Sequence, residues 1–566
     1  MTLFAIKSVN KFEIGEVMLY RQTKTFFTPA RSFCRNAASG LTLRTAASTL
    51  RPVLPCLTAK ILANAQKMFS FAGIFFRKLT VVIIFITACI STGELWASDT
   101  PEAIQQKITQ SLKLPGARSA DWGIRILDPE DDKILVDINP DNAFLPASVI
   151  KIVTTAAAVE KLGPDFIYYT GVYTDGTLDE RGVLDGNLIL VGRGDPNLMD
   201  VYGDLGQPPA LRGLAEKIRE IGIREIRGDV VGDDSYFAPS TDREGGIYAA
   251  EKGTLYGAPV TALSINNNVM KVTVRAPEHG KAVRVELEPH SSYFRIRNQA
   301  TAGGSDDEQT LSIQLLRGSS TLLISGTLPA SKSVTRTVVL NKPAETVAAI
   351  LKDELERRAV RINGNVRAIH YGDMTIEDKK SWILLAEHES LPLIRGLEII
   401  NKRSQNLHAE MLLRTLGAEL RGYRSFGSRE TGLEAVKAFL IEAGIYDKNI
   451  RLYDGSGLSR ENFLTPRFQT ALLEFLLHRS YFKLFLNTLA VGGTDGTLRN
   501  RLSSVGAKGY IYAKTGSLNG VVALSGYIAT QSGKNLVFSI FANSVAATET
   551  VIKTMDEICF LFATLY

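Results

Sequence analysis

The chain has 566 residues, 45% of them hydrophobic, which is typical of a folded globular protein with two or three domains. Its net charge is +6, but residues 1–97 hold twelve basic and three acidic residues, which leaves 53 basic and 56 acidic residues downstream. Because this remainder is slightly acidic, nothing indicates nucleic-acid binding. Only Cys559 lies beyond residue 97, which excludes a disulfide framework and a cysteine-rich metal site there.

Residues 1–97 are predicted to form a leader. Basic residues precede the uncharged apolar run 79–90, which predicts a secretory signal peptide over 68–97 and an exported protein. The run is too short to favour a permanent membrane anchor. Two alternatives stay open: a lipoprotein-like sequence ending at Cys89, which would attach the protein loosely to a membrane, and an organelle transit peptide in residues 1–67. An over-extended translation start explains residues 1–67 more simply.

The segment 98–168 is predicted to contain a helix, a pair of strands within 122–138 and a second helix at 152–162. The second helix is rich in alanine and other apolar residues, and Gly163 follows it as a stop signal. Ser148 is therefore predicted to lie at the first turn of a largely buried helix.

Ser148 and Lys151 are three residues apart, so on a helix their side chains share a face. A serine hydroxyl is a weak nucleophile without a neighbouring base, and burial favours the neutral form of lysine that serves as one. Such pairs are also common on solvated helix faces. Lys151, however, lies in an apolar helix, where an idle lysine would be costly. The pair predicts a serine nucleophile with its own base.

Residues 169–375 consist mostly of short apolar runs separated by Gly, Asp and Asn every eight to twelve residues. This texture predicts mainly β structure with a few helices, such as 211–221 and 346–358. We expect inserted domains here, with an outer one at roughly 265–345 nested in the other.

In residues 376–566 the helical texture returns, and three strands followed by a final helix are expected near the end. The helices are predicted at 391–401, 406–420 and 432–443, and the strands at 510–514, 520–530 and 535–543.

Ser404 and Asn406 lie in a polar turn before the helix predicted at 406–420. As a lone motif they are typical of a helix N-cap. In an acyl-transfer enzyme, the hydroxyl of Ser404 would instead relay a proton to the leaving group. Asn406 would bind the substrate amide and hold Lys151. Both interpretations stand on the sequence alone.

Lys514, Thr515 and Gly516 are predicted to end a strand and to lead into Ser517 and a tight turn. Lys514 would supply a fixed positive charge for a carboxylate, and Gly516 would let a substrate backbone approach closely. A strand end with a solvated lysine is the ordinary alternative.

Together the three motifs resemble the signature of β-lactamases and penicillin-binding proteins. The long gap from Lys151 to Ser404 is similar to that of the class C low-molecular-mass penicillin-binding proteins, the D-alanyl-D-alanine carboxypeptidase and endopeptidase family, which carries inserted domains there. The resemblance covers about residues 100–566. Further segments that resemble the family's pattern are 186–188, 192–198, 228–230, 256–259, 454–459 and 493–498.

The resemblance implies an α/β (α+β) fold of the β-lactamase and transpeptidase type, an antiparallel sheet flanked by helices, formed by residues 98–168 and 376–566. It implies a serine-type D-Ala-D-Ala carboxypeptidase or D,D-endopeptidase, acylated by penicillin and other β-lactams, that acts on peptidoglycan stem peptides. No metal ion or organic cofactor is required. The oligomeric state does not follow from the sequence.

The family's residue roles carry over to the matching positions. Ser148 would be the acylated nucleophile and Lys151 its base, and the backbone amides of Ser148 and Ser517 would form the oxyanion hole. Gln405 replaces the aspartate common in the second motif, and its side chain is not expected to face the substrate. The remaining site residues would be Ser404 and Asn406 in the second motif and Lys514, Thr515 and Gly516 in the carboxylate-binding strand.

Two other functions stay open. A β-lactamase shares the acylation step but needs an additional base for rapid deacylation, and no motif assigns one. A catalytically idle peptidoglycan-binding protein would keep the fold, although the motifs are intact. His408 follows Ser404 by four residues, but no Gly-x-Ser-x-Gly elbow accompanies it, so it is interpreted as an ordinary helix residue.

Overall fold

The computed structural model describes residues 101–199, 209–239, 258–375, 377–420, 426–504 and 506–566. The chain divides into two units, 1–98 and 99–566, and the described residues all belong to the second. The predicted signal peptide, the alternative lipid site at Cys89 and the alternative transit peptide lie outside the described residues.

The helices and strands of the described residues are numbered in chain order. The strands are β1 (Asp121–Asp128), β2 (Lys133–Ile138), β3 (Tyr169–Thr174), β4 (Thr177–Leu178), β5 (Val183–Asp185), β6 (Leu188–Val191), β7 (Glu225–Ile226), β8 (Val230–Asp233), β9 (Val269–Arg275), β10 (Arg284–Glu288), β11 (Arg295–Gly303), β12 (Ser312–Leu315), β13 (Thr321–Pro329), β14 (Ser333–Val339), β15 (Arg361–Ile362), β16 (Val366–Ile369), β17 (Ile383–Glu389), β18 (Ala490–Val491), β19 (Ile511–Leu518), β20 (Val521–Ala529) and β21 (Asn535–Asn543). The helices are α1 (Pro101–Leu112), α2 (Lys151–Leu162), α3 (Ala210–Glu220), α4 (Pro343–Glu356), α5 (Leu393–Lys402), α6 (Asn406–Leu420), α7 (Arg429–Glu442), α8 (Pro466–Leu477), α9 (Phe482–Thr488) and α10 (Thr548–Leu565).

The main sheet is antiparallel and has six strands in the order β18-β19-β20-β21-β1-β2. Helices α1 and α10 pack on it through side chains such as Ile108 and Ile558, and α8 packs against β1, β20 and β21. Since the sheet is covered, β20 is buried along its whole length and reads as a nearly continuous apolar run.

A group of helices lies beside this sheet and carries the first two motifs. Helix α2 packs against α5, α6 and α7. Nine of its twelve residues are buried, because alanine, valine and threonine let the neighbouring helices approach closely. The start of α2 and the start of α6 therefore meet near β19.

Strands β3 to β17 lie in the chain between the first and second motifs and form four further sheets. Their orders are β16-β8-β6-β3-β17, β15-β7-β5-β4, β10-β9-β14 and β11-β13-β12. Helices α3 and α4 share a hydrophobic core with them, which includes Leu190, Leu214, Val272 and Leu351. The edge strand β17 lies beyond residue 375, the point at which the sequence predicts the inserted domains to end.

The predicted fold class is confirmed: an antiparallel sheet is flanked by helices, and mainly β structure separates the first two motifs. The predicted strand end at Lys514 is wrong, because β19 pairs with β20 as far as Leu518. The predicted α-helical turn at Ser148 is a 3₁₀ turn, Ala147–Ile150, and α2 begins at Lys151.

Candidate active site

Ser148 lies where the 3₁₀ turn leads into α2. The preceding residue, Ala147, has a φ of +46°, in the left-handed region, so the chain bends sharply just before the serine. Gly457 fits against this bend: a Cβ on it would lie 2.0 Å from the carbonyl oxygen of Ala147. The serine is therefore held by a backbone contact that only glycine permits.

Gly516 makes a second close contact with the same segment. A Cβ on Gly516 would lie 2.6 Å from the carbonyl oxygen of Pro146. The sequence predicts that Gly516 makes room for a substrate backbone; within the protein itself, it makes room for the segment that carries Ser148. Strand β19 and the turn before α2 are therefore packed directly together.

Lys151 is fully buried, and its amine has three hydrogen-bond acceptors. Its Nζ lies 2.9 Å from Ser148 Oγ and 2.7 Å from Asn406 Oδ1, and it also donates to the carbonyl oxygen of Ser456. The amide and carbonyl oxygens can only accept. In a neutral amine they occupy the two N–H groups, and the lone pair is left for the hydroxyl proton of Ser148.

Burial lowers the pKa of Lys151 to about 7, and the negative charges of Asp454 and Glu410 oppose that shift. A lysine with a pKa near 7 has a substantial neutral fraction at physiological pH, which is the form that accepts a proton.

Lys514 and Ser404 form a second hydrogen-bonded pair. Lys514 is fully buried, and its Nζ lies 2.9 Å from Ser404 Oγ and 2.8 Å from the carbonyl oxygen of Thr515. Burial lowers the pKa of Lys514 well below its usual range, and the positive charge of Lys151 lowers it further. Both acceptors are neutral, so an entering anion would stabilise the ammonium.

The geometry around Ser404 differs from that of a helix N-cap. Ser404 lies two residues before the first residue of α6 and has a φ of +61°, whereas an N-cap is usually extended. Asn406, the first residue of α6, faces Lys151. The second motif therefore contacts both lysines.

Thr515 and Ser517 lie on the more open side of β19. Thr515 Oγ1 donates a hydrogen bond of 2.8 Å to Thr497 Oγ1, and Ser517 is exposed. Thr497 belongs to the segment 493–498 that the sequence singled out without a role. The three motifs thus lie together in one site, with Thr497 at its edge.

Glu410 and Asp454 are buried carboxylates near Lys151 that escaped prediction as site residues. Glu410 could have been found from the sequence, because it lies in an apolar helix with Arg414 one turn later. A charged residue in an apolar helix is costly and therefore indicates a role, and the same reasoning singled out Lys151. Asp454 stood in a segment that resembles the family's pattern, but the spacing alone assigned it no chemistry.

His408 is buried in α6, and its hydrogen-bond partner is a residue just before β9. Its Nε2 lies 2.6 Å from Asn267 Oδ1, and burial lowers its pKa to about 3.

Within the described ranges, no three His, Cys, Asp or Glu side chains are placed to hold a metal ion. No helix of that part of the chain is long and apolar enough to cross a membrane.

A Ser-x-x-Lys pair with a fully buried lysine, joined to a Ser-x-Asn turn and a Lys-Thr-Gly strand of an antiparallel sheet, defines a serine acyl-transfer enzyme of the β-lactamase and transpeptidase class. Residues 104–560 match the family model described as the D-Ala-D-Ala carboxypeptidase 3 (S13) family. The chain belongs to this family.

Similar proteins agree with this assignment. The chain is 31% identical to a D-alanyl-D-alanine carboxypeptidase of Actinomadura sp. (strain R39), over 78% of this chain and 81% of that protein. It is 28% identical to the carboxypeptidase DacB of Haemophilus influenzae, over 75% and 85%. The crystal structure of penicillin binding protein 4 (dacB) from H. influenzae matches with a TM-score of 0.65 and 27% identity, over 81% of this chain and 97% of that one. The predicted low-molecular-mass penicillin-binding protein and serine peptidase is confirmed.

Proposed function

We propose that Ser148 forms the acyl-enzyme of a D-Ala-D-Ala carboxypeptidase and that Lys151 is its general base. The observation that carries this proposal is the pair of oxygens, Asn406 Oδ1 and the Ser456 carbonyl, that accept from Lys151 Nζ and so leave the lone pair of the neutral amine for the hydroxyl of Ser148. As Ser148 Oγ attacks the carbonyl carbon of the penultimate D-alanine, Lys151 takes the hydroxyl proton.

The remaining steps use the other two motifs. The backbone amides of Ser148 and Ser517 stabilise the oxyanion of the tetrahedral intermediate. The proton passes from Lys151 through Ser404 to the leaving amine, the C–N bond breaks and D-alanine departs. Water then attacks the ester, Lys151 accepts its proton, and Oγ leaves with a proton as Ser148 is regenerated.

Lys514 and Thr515 bind the terminal carboxylate in this proposal. Lys514 is buried among neutral acceptors, so the carboxylate provides its counter-charge within the site. The hydroxyl of Thr515 adds a donor from the same strand. This arrangement selects substrates that end in a free carboxylate next to the scissile amide.

The substrates we propose are peptidoglycan stem peptides that end in D-Ala-D-Ala. A cross-link whose leaving amine belongs to a D-centre has the same local chemistry, so we include D,D-endopeptidase activity. β-Lactams present a reactive amide next to a carboxylate and should acylate Ser148. In support, a solved structure of the H. influenzae protein is described as a complex with a β-lactam, and it matches this chain with a TM-score of 0.62.

We propose that the enzyme consists of a two-part catalytic domain, 98–168 and 376–566, around inserted domains at 169–375 with an outer domain at 265–345. The main sheet supports the two-part domain, since it joins strands from both parts. The pairing of β17 with β3 supports extending the inserted part to Glu389.

We also propose that the protein is exported after cleavage of the signal peptide predicted at 68–97. Mass spectrometry of the mature N-terminus tests this: a free amine near Ser98 is expected. A lipid on Cys89, or retention of residues 1–67, would contradict cleavage at that point.

Incubation with penicillin should give a stable adduct on Ser148, because the acyl ester of a carboxypeptidase deacylates slowly when a β-lactam forms it. Peptide mass spectrometry locates the adduct, and the Ser148→Ala variant should form none. Release of D-alanine from a D-Ala-D-Ala pentapeptide should be lost in the same variant. Rapid multiple turnover of penicillin would instead identify a β-lactamase, and wild-type protein that releases no D-alanine would be an idle binding protein.

A further inference from the structure

The turn at residues 454–459 carries the backbone carbonyl that completes the surroundings of Lys151. The carbonyl of Ser456 accepts from Lys151 Nζ, and the carbonyl of Gly455 accepts a 2.9 Å hydrogen bond from Thr154 Oγ1. Both donors lie on α2, so the turn is fastened to the helix that begins beside the nucleophile.

Glu410, on α6, accepts hydrogen bonds from two successive backbone amides of this turn. Its Oε1 accepts from the backbone nitrogens of Gly455 at 3.0 Å and Ser456 at 2.9 Å. Its Oε2 lies 3.0 Å from a guanidinium nitrogen of Arg414, and only 2–3% of either side chain is exposed. A buried carboxylate with this many donors is a rigid support.

Asp454 holds the next amide and the end of the turn. Its Oδ1 accepts from the backbone nitrogen of Gly457 at 2.7 Å and from Asn462 Nδ2 at 2.8 Å, and its Oδ2 accepts from the backbone nitrogen of Ser459 at 2.7 Å. The amide of Gly457 and the carbonyl of Ser456 belong to the same peptide group. By accepting from this amide, Asp454 fixes the orientation of the Ser456–Gly457 peptide plane, whose carbonyl oxygen faces Lys151. The same hydrogen bond polarises that oxygen.

We propose that Glu410 and Asp454 are positioning residues for acyl transfer: by binding three successive amides, they aim the Ser456 carbonyl at Lys151. The inference rests on the proposed role of Lys151 as base. With that carbonyl in place, the amine has one free direction, towards Ser148. Neither carboxylate contacts the nucleophile itself.

The same carboxylates act on the base through their charge. The groups that face Lys151 include Lys514 on β19, Glu410 with its partner Arg414 on α6, and Asp454 in the turn. The negative charges of Asp454 and Glu410 raise the pKa of Lys151 against the effect of burial. Burial, and then the charge of Glu410, raise the pKa of Asp454 to about 6. Loss of either charge should therefore extend the neutral form of Lys151 to lower pH.

Neutral isosteres separate the two effects. In Glu410→Gln and Asp454→Asn, one side-chain oxygen can still accept from two N–H groups, but the charge is gone. We expect the acid limb of the rate of acylation by penicillin to move down by about 1 pH unit, the shift typical of losing one nearby opposite charge. Glu410→Ala loses the same charge, so its acid limb should move down as well; because the turn also loses its support, its rate on the plateau above the limb should fall about 10²-fold.

Glu419→Gln is the matched control, since Glu419 lies on the same helix but bonds to Tyr236. Its pH profile should equal that of the wild type. The double variant Glu410→Gln with Arg414→Gln avoids leaving a buried guanidinium without its carboxylate. Its downward shift should be smaller than that of Glu410→Gln, because the positive charge of Arg414, which opposes the effect of Glu410 on Lys151, is removed as well. Thermal unfolding of each variant establishes that the protein is folded.

Two results separate the possible failures. If the folded Gln, Asn and Ala variants all keep the wild-type rate and acid limb, Glu410 and Asp454 have no positioning role. If the wild type has no acid limb, or penicillin labels a residue other than Ser148, the proposed function itself fails.

Discussion

Replacement of Lys151 by methionine should slow acylation of Ser148 by penicillin about 10³-fold, because a positioned general base typically contributes about 10²- to 10⁴-fold. Methionine fills a similar volume but cannot accept the hydroxyl proton. In the wild type, the same rate should rise with pH until about pH 7 and then level off, since the pKa of Lys151 is about 7 and only the neutral amine is a base. Second-order rate constants of acylation measured across that range test both expectations.

Lys161→Met provides the control on the same helix. Lys161 lies near the end of α2, is partly exposed and pairs with Glu442. We expect its acylation rate and pH profile to match the wild type. A Lys151→Met enzyme within tenfold of the wild-type rate, or a wild-type rate that does not change with pH, would contradict the role of Lys151 as base.

Substitution of alanine for Gly457 should both destabilise the protein and remove most of its activity. The new Cβ would lie 2.0 Å from the backbone oxygen of Ala147, and the φ of Gly457 is +82°. Left-handed strain and overpacking together cost about 3–4 kcal/mol of the free energy of unfolding. Relief of the clash must displace the segment before Ser148, so we expect an acylation rate at least about 10²-fold lower. Urea unfolding and penicillin acylation measure the two effects.

Gly444→Ala separates strain from the clash. Gly444 has a φ of +71°, but a Cβ there would meet nothing within 4 Å. Its free energy of unfolding should fall by only about 1–2 kcal/mol, the cost of the left-handed conformation, and acylation should be unchanged. Equal losses of stability and activity in the two variants would show that the contact between Gly457 and Ala147 has no special role.

Much of the catalytic part of the fold was accessible from local sequence patterns. The helix predicted at 406–420 and the strand predicted at 535–543 have the bounds of α6 and β21. The helix has apolar residues at helical spacing, and the strand is a nearly continuous apolar run with a polar residue at each end. The motifs around Ser148, Ser404 and Lys514 were found because each is a short pattern with specific chemistry.

The features that sequence reasoning missed depend on distant contacts. Strand β17 was overlooked because its mixed polar and apolar residues become a strand by pairing with β3, some 200 residues earlier. The continuation of β19 past Lys514 likewise depends on pairing with β20. Glu410 was missed because the amides that it binds lie in the turn at residues 454–459, and no local sequence pattern predicts a contact between such distant residues.

The position of β1 in the main sheet has a consequence for how the enzyme matures. Strand β1 lies between β2 and β21, so its second neighbour is synthesised only near the end of the chain. A two-stranded hairpin is marginally stable by itself and exposes an unpaired edge. Until the last strands arrive, the catalytic half of the protein should therefore remain open, and every shorter precursor should be catalytically silent.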